Sequence, residues 1–174
     1  MKKTEATFHA ATFATPCGPF SVAVNATGSA VVATAFGDLT ALRSRLKPIC
    51  HLISDKPALV AAVRTELEEY FAGKRSRFSV PLAAHGTAFQ QRVWAALVAI
   101  PFGETRSYGQ LAAELSNPGA SRAVGRANAT NPICLLVPCH RVIGSDGSLT
   151  GFAFGETIKR QLLDHEGALP APLL

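Results

Sequence analysis

The apolar pattern of this sequence divides at residues 78–86, a stretch of polar and small side chains. Strand-like alternation dominates ahead of it; nearly every patterned segment behind it has helical spacing. A chain divided this way is expected to fold as two parts, residues 1–84 and 85–174. In the first, Phe20-Ser21-Val22-Ala23-Val24 and Val31-Val32-Ala33-Thr34-Ala35-Phe36 flank a Thr27-Gly28 turn. That predicts a hairpin inside a strand-rich region over 7–36. Residues 57–72 change to a helical period. Leu59, Val60, Val63, Leu67, Tyr70 and Phe71 share one face, and Glu66, Glu68 and Glu69 are expected largely off it. Pro57 suits a first helical turn and Gly73 a stop. Residues 1–84 carry no pattern that looks catalytic and are expected to support.

The second part opens on a capping box, Thr87-Ala88-Phe89-Gln90. Phe89, Val93, Trp94, Leu97 and Ile100 form one helical stripe that Pro101 ends. A second box, Ser107-Tyr108-Gly109-Gln110, opens a shorter helix through Leu115, and Asn117-Pro118-Gly119 reads as a turn. A third helix is predicted from Ser121 to Thr130, broken by Asn131-Pro132. Two short helices joined by a tight Gly-containing turn outline a helix-turn-helix. Arg122 and Arg126 stand on its second helix among small residues (Ala123, Gly125, Ala127, Ala129) that let a backbone approach a groove; an ordinary helical hairpin is the alternative. Ser145-Asp146-Gly147-Ser148 reads as a hairpin turn. A last helix, Glu156 to His165, places Ile158, Leu162 and Leu163 on one face, with Gly167 as its cap. The tail from Ala168 is expected to fray.

Charge narrows the partners. The chain has 174 residues, is 48% hydrophobic and only 17% charged, which excludes a charge-dominated disordered chain. Its net charge of +5 points to an anionic partner, most simply nucleic acid, against a plain basic surface. Between Lys74 and Lys159 every fixed positive charge is an arginine, and Glu104 and Glu114 are the only acids between Arg75 and Arg141. Arginine offers a planar fork of donors suited to phosphate. The four cysteines show no C-x-x-C spacing, so no zinc site is expected. Met1-Lys2-Lys3-Thr4-Glu5 leads into no long apolar region and no stretch is apolar enough to span a bilayer. The expectation is a cytoplasmic protein with reduced thiols and no membrane partner.

One of those thiols stands out. Pro138-Cys139-His140-Arg141-Val142 places a cysteine beside an imidazole, behind a rigid proline and past the apolar run Ile133 to Val137. Only the thiolate of a cysteine attacks, and an adjacent base raises its fraction near neutral pH. Consecutive side chains of a strand point to opposite faces, so a direct thiol–imidazole contact requires the chain to turn here, or a bridging water. Cys134, inside Ile133-Cys134-Leu135-Leu136, reads as an ordinary core cysteine; Cys139 leaves the apolar run and is expected to open into a cavity. A catalytic imidazole usually has an orienting carboxylate, and Asp164 and Glu166 are both candidates.

The motif resembles the active-site segment of the O6-alkylguanine-DNA alkyltransferases. Four further segments match in the same order: Ile100-Pro101-Phe102-Gly103-Glu104-Thr105-Arg106-Ser107-Tyr108, Arg122-Ala123-Val124-Gly125, Asn131-Pro132, and Leu162-Leu163-Asp164-His165-Glu166-Gly167. The resemblance implies an α/β N-terminal domain with a ribonuclease H-like sheet. It implies a mostly α-helical C-terminal domain whose helix-turn-helix binds double-stranded DNA through the minor groove as a monomer. The implied function is direct-reversal repair: one irreversible transfer of an alkyl group from O6 of guanine, and by extension O4 of thymine, to Cys139. A base inside a stacked duplex is out of a thiol's reach, so it must be extruded. No cofactor and no metal is implied.

Roles follow from the resemblance position by position. Cys139 is the acceptor, His140 takes its proton through a water, and Glu166 orients His140. Asn131 holds the hinge. Tyr108 helps rotate the flanking phosphate and donates to the departing guanine. Arg122 fills the gap left by the flipped base, with Ser107, Ala123 and Arg126 on the same DNA-binding face. Phe152, Ala153 and Val142 line the base pocket. From the residues alone, Tyr108 also reads as a packing aromatic, Arg122 as a phosphate contact and Asn131 as a helix stop. Family members commonly carry tyrosine where Phe152 stands, which bears on the range of alkyl groups accepted. A non-catalytic alkylated-DNA-binding protein and a helix-turn-helix regulator are the competing readings.

Overall fold

Strand β1 (Ala6–Thr15) turns tightly into β2 (Gly18–Asn25), which continues through a Gly28 turn into β3 (Val31–Phe36). The computed structural model describes residues 5–46, 50–54 and 57–169. The tail expected to fray falls mostly outside these residues, as do residues 1–4. Gly28 has φ +70°, the left-handed turn conformation glycine adopts at little steric cost. Across the β2–β3 pair, Phe20 sits opposite Phe36 and the rings meet edge to face at 5.0 Å.

Two elements here were not read from the sequence. A five-residue helix, α1 (Leu39–Arg43), is capped by Asp38, whose carboxylate accepts from the Thr40 and Ala41 amides. Strand β4 (Cys50–Ile53) pairs parallel to β1, giving a mixed sheet of order β3-β2-β1-β4. Helix α2 (Ala58–Phe71) packs on β1 and β2. Its buried stripe corrects the sequence reading: Glu66 lies with Val60, Val63, Leu67 and Tyr70, while Leu59 is only partly covered. The reason is satisfaction of its charge. The Glu66 carboxylate accepts from the Ser79 amide (2.9 Å) and hydroxyl, and Arg75 lies 3.6 Å away.

The outer edge of β3 is not left bare. Val31 exchanges backbone bonds with Pro81 and Ala83, and the Thr34 amide donates to the Pro132 carbonyl at 2.9 Å. Such pairing blunts an edge that would otherwise template aggregation. Residues 132–134 therefore belong to the first compact unit (1–85 and 132–134), and the second comprises 86–131 and 135–174.

In the second unit both capping boxes form. They start α3 (Ala88–Val98) and α4 (Tyr108–Glu114), the latter preceded by the two-residue strand β5 (Arg106–Ser107). Helix α5 (Ser121–Ala129) follows the turn, and buried Leu111, Ala112, Val124 and Ala127 hold the helix-turn-helix together. The Trp94 indole N–H donates to the Ala127 carbonyl at 2.9 Å, tying α3 to α5. After a 3-10 turn at Cys139–Arg141 comes β6 (Val142–Ile143), parallel to β5, then α6 (Glu156–His165). Residues 144–148 do turn, with the Gly144 amide on the Ser148 carbonyl at 2.9 Å. They do not join two strands, because β6 pairs with β5 and no strand follows among the described residues. Gly167 closes α6 at φ +66°.

Candidate active site

Pro138 stops the apolar run, and residues 139–141 wind into one 3-10 turn. This supplies the change of direction that a strand lacks. The Cys139 amide donates to Val137, the Arg141 amide to Pro138 and the Val142 amide to Cys139, so the turn closes on itself. Two asparagines anchor it: Asn128 on α5, whose Nδ2 donates to the Cys139 carbonyl (3.2 Å), and Asn131 just past the end of α5, whose Nδ2 donates to the Val137 carbonyl (2.9 Å). Asn131 is thus more than a helix stop; it fixes the backbone two residues ahead of the thiol.

The turn delivers a buried ionic cluster. His140 Nε2 donates to Glu166 Oε1 at 2.8 Å with both side chains fully buried. Arg141 grips the same carboxylate through Nε (2.9 Å to Oε2) and Nη2 (2.9 Å to Oε1). Its Nη1 donates to the Ile100 carbonyl (2.7 Å), and its guanidinium lies 5.9 Å from the centre of the Phe102 ring. The pair Asp164 and Glu166 is thereby resolved: Glu166 turns inward, and Asp164 is exposed.

Burial pushes the Glu166 carboxyl up, but the hydrogen bonds from His140 and Arg141 overrule it and hold the group down at about 2. Burial lowers the His140 imidazole below its ordinary value, only partly opposed by Glu166, because Arg141 already neutralises that carboxylate. The resting state is therefore a neutral imidazole on an ionised carboxylate. With Nε2–H committed to Glu166, Nδ1 is the basic nitrogen, and it hydrogen-bonds to no described residue, the Cys139 sulfur included.

Cys139 itself corrects an expectation. It is 4% exposed, nearly as buried as Cys134 at 0%. Exposure does not separate the two thiols; surroundings do. Cys134 lies 3.3 Å from the Thr34 hydroxyl in the first unit's core. Cys139 instead sits on the turn among ionisable groups: its negative form would act on both Tyr108 and Lys159.

Tyr108 begins α4, which the short β5–β6 pairing sets beside the turn through Arg106↔Val142 and Ser107↔Ile143. The Tyr108 hydroxyl donates to the Thr150 carbonyl at 3.0 Å. The ring passes over Gly125, and a Cβ on Gly151 would stand 2.4 Å from the hydroxyl, so both glycines make room for it. Burial, reinforced by Cys139 and opposed by Asn128, raises the phenol above its ordinary value, keeping it a proton-bearing donor.

Ser107 caps α4, its Oγ accepting from the Gln110 amide at 3.0 Å. Arg122 and Arg126 are exposed on α5 with Ala123 partly covered between them. Arg106 is engaged by Glu104 and Glu114 at 3.1 Å each, so both acids of the arginine-rich stretch are spent on one residue. A concavity of about 210 Å³ beside Arg126, lined also by Phe89 and Ala123, does not include Cys139. Val142 and Phe152 are buried, Ala153 is exposed, and Phe152 meets Phe154 edge to face at 5.7 Å. Among the described residues no cluster of His, Cys, Asp or Glu has metal-binding form, and no helix is long and apolar enough to cross a membrane.

Sequence reasoning missed three participants. Arg141 was visible in the motif but reads alone as a surface charge. Asn128 lay hidden among small helix residues. Lys159 is fully buried, whereas Ile158 is only partly covered. The available signal was spacing: Lys159, Leu162, Leu163 and Glu166 fall at i, i+3, i+4 and i+7, so the apolar stripe of α6 ends in a charge at both sides.

Comparison with known proteins agrees for both parts of the chain. A family model described as the 6-O-methylguanine DNA methyltransferase ribonuclease-like domain matches residues 8–84, and one for the DNA-binding domain matches residues 88–168. A methylated-DNA–protein-cysteine methyltransferase of Mycobacterium tuberculosis is 47% identical over 159 residues, 91% of this chain and 92% of the relative. The crystal structure of Mycobacterium tuberculosis OGT in complex with DNA superposes with a TM-score of 0.79 at 44% identity, covering 91% of this chain and 92% of the other. An O6-methylguanine-DNA methyltransferase from the archaeon Pyrococcus kodakaraensis, 21% identical with a TM-score of 0.55 over 92% of this chain and 99% of the other, shares the fold.

Proposed function

The chain belongs to the 6-O-methylguanine DNA methyltransferase family, and on that premise we propose that Cys139 is the acceptor through which it works. The activity is direct-reversal DNA repair: an alkyl group passes from O6 of guanine to a cysteine, and the protein is consumed. The observation that carries the assignment is the turn at 139–141, which sets one thiol beside an imidazole whose far nitrogen is already held by Glu166 at 2.8 Å.

The steps follow from that geometry. Because Nδ1 is the free basic nitrogen, the Cys139 proton passes to it, through one water. Glu166 stabilises the resulting imidazolium, and Arg141 keeps Glu166 ionised. The sulfur attacks the alkyl carbon opposite O6; the new C–S bond forms as the C–O6 bond breaks, and its electrons stay on guanine. The neutral Tyr108 phenol donates to the leaving base, which otherwise departs as an unstabilised anion. A thioether has no easy hydrolytic exit, so each chain acts once.

DNA binding falls to the second unit, with residues 1–84 as support. Helix α5 enters the minor groove of the duplex with the protein as a monomer. Arg122 fills the space of the extruded base while Arg126, Ser107 and Ala123 face the backbone. Val142, Phe152 and Ala153 line the pocket that receives the base, and O4-alkylthymine is a second substrate of the same chemistry. The protein works where the chromosome lies, in a bacterium the nucleoid within the cytoplasm.

The test is stoichiometry. Incubated with a duplex carrying one labelled O6-methylguanine, the protein should take up one methyl group per chain and then stop, and Cys139→Ala should take up none. Repeated turnover, or undiminished uptake by Cys139→Ala, would overturn the assignment.

A further inference from the structure

Among the described residues, Lys159 is the one fully buried cation that the mechanism above leaves idle. Its side chain is 0% exposed, yet among the described residues no carboxylate lies within ion-pair distance of Nζ. The ammonium donates to two backbone carbonyls, Val142 and Thr150 (3.3 Å), and so has a third N–H that no described residue takes up. A buried charge without a partner is costly, and a methionine or leucine would fill the same stripe of α6 at lower cost.

What the cation gains is seen in what its anchors hold. Val142 ends the turn that carries Cys139, its amide bonded to the Cys139 carbonyl. The Thr150 carbonyl that takes Lys159 also takes the Tyr108 hydroxyl at 3.0 Å. The thiol, the phenol and the ammonium are thus tied to one short loop. We propose that Lys159 is the counter-charge of Cys139, a positioning residue whose buried ammonium, fixed on Val142 and Thr150, favours the sulfur anion before any substrate arrives. This rests on Cys139 being the reactive thiol.

The charged neighbours agree in sign. Burial brings the Lys159 ammonium down to about 8 against the upward pull of negative charge on Cys139 and, after it, of exposed Glu156 on α6. At neutral pH it is still protonated. Coupling is reciprocal, so a cation stabilised by the sulfur anion stabilises that anion equally. Lys159 and Arg141 both disfavour a charged His140 at rest, which keeps the base ready. Tyr108, the remaining titratable group facing the sulfur, is held neutral by burial. The division of labour is clear: Lys159 sets how much thiolate exists, and His140 takes the proton.

The decisive readout is the pH profile of iodoacetamide labelling at Cys139, resolved by peptide mass, in the full chain and in Lys159→Met and Lys159→Arg. Lys159→Met should move the midpoint up by about one pH unit, roughly a tenfold loss of thiolate below it, while Lys159→Arg stays close to wild type. An unchanged midpoint in Lys159→Met would overturn the proposal, since a lysine that merely staples two carbonyls alters stability and not thiol ionisation. Should Lys159→Met fail to fold, the NMR titration of the Lys159 ε-carbon in wild type and Cys139→Ser decides instead. Loss of the ionisable sulfur should lower the lysine midpoint; identical midpoints would refute the coupling. Neither measurement uses DNA. If the methyl group is found on another cysteine while this coupling holds, the acceptor assignment fails and the electrostatic inference stands.

Discussion

The two units bury polar groups for different ends. The first buries Ser21, Thr34 and Glu66, each answered by neighbours that finish the fold: Ser21 donates to the Gly37 carbonyl (2.8 Å), Thr34 to the Cys134 carbonyl (2.8 Å), and Glu66 accepts from Ser79. The second buries Asn128, Asn131, His140, Arg141, Lys159 and Glu166, all converging on one turn of chain. It leaves His140 Nδ1 and Asn128 Oδ1 without hydrogen-bond partners among the described residues. A fold optimised for stability alone would replace such a cluster with apolar side chains. Polar burial that closes its own hydrogen bonds reads as architecture; polar burial that leaves a basic nitrogen uncommitted, on the same turn of chain as a thiol, reads as chemistry.

That contrast can be broken most forcefully at His140. His140→Gln should slow methyl transfer by about 10²–10⁴-fold, measured in single-turnover assays on an O6-methylguanine duplex. No substitution of Glu66 should approach this. Next in size is stability. Glu166→Gln leaves Arg141 buried without its anion and should cost about 3–5 kcal/mol by urea unfolding. Glu66→Gln keeps an acceptor for Ser79 and should cost about 1–3 kcal/mol.

Acid acts on the second unit's cluster in two pH windows. The folded state holds His140 below its ordinary value, so below roughly pH 6.5 the unfolded chain binds a proton that the folded one refuses, and stability falls. Glu166, held at about 2 in the folded state, adds a second loss as pH drops from its ordinary value of 4.5 through that point. Chemical unfolding across pH 7 to 3 should show the first loss removed in His140→Gln and the second in Glu166→Gln. The smallest effect is expected at Thr87, where Thr87→Ala removes a cap from α3 and should cost about 1 kcal/mol while leaving transfer intact.

Much of this was legible in sequence, for local reasons. The β2–β3 hairpin, both capping boxes and the ends of α2 and α6 depend on neighbours within a few residues, and side-chain period and turn chemistry report them directly. What failed depends on distant partners. The parallel pairing of β1 with β4 joins segments some forty residues apart. Glu66 is buried only because Ser79 and Arg75 come back to meet it. The turn at 144–148 has hairpin composition, but its incoming strand is already paired to β5. In the site, the motif fixed attention on Cys139 and His140, and the resemblance selected Glu166. Arg141 and Lys159 stayed silent because a lone basic residue in sequence reads as solvent-facing, and only packing shows otherwise. The exposure expected of Cys139 was wrong for the same reason: polar neighbours in sequence proved to be buried neighbours in space.

Four cysteines are present, and the account stakes everything on one. After a single exposure to a duplex containing O6-methylguanine, peptide mass mapping should place one added methyl group on the peptide bearing Cys139 and leave those bearing Cys17, Cys50 and Cys134 unmodified. A methyl group on any of those three, or on none of the four, would contradict it.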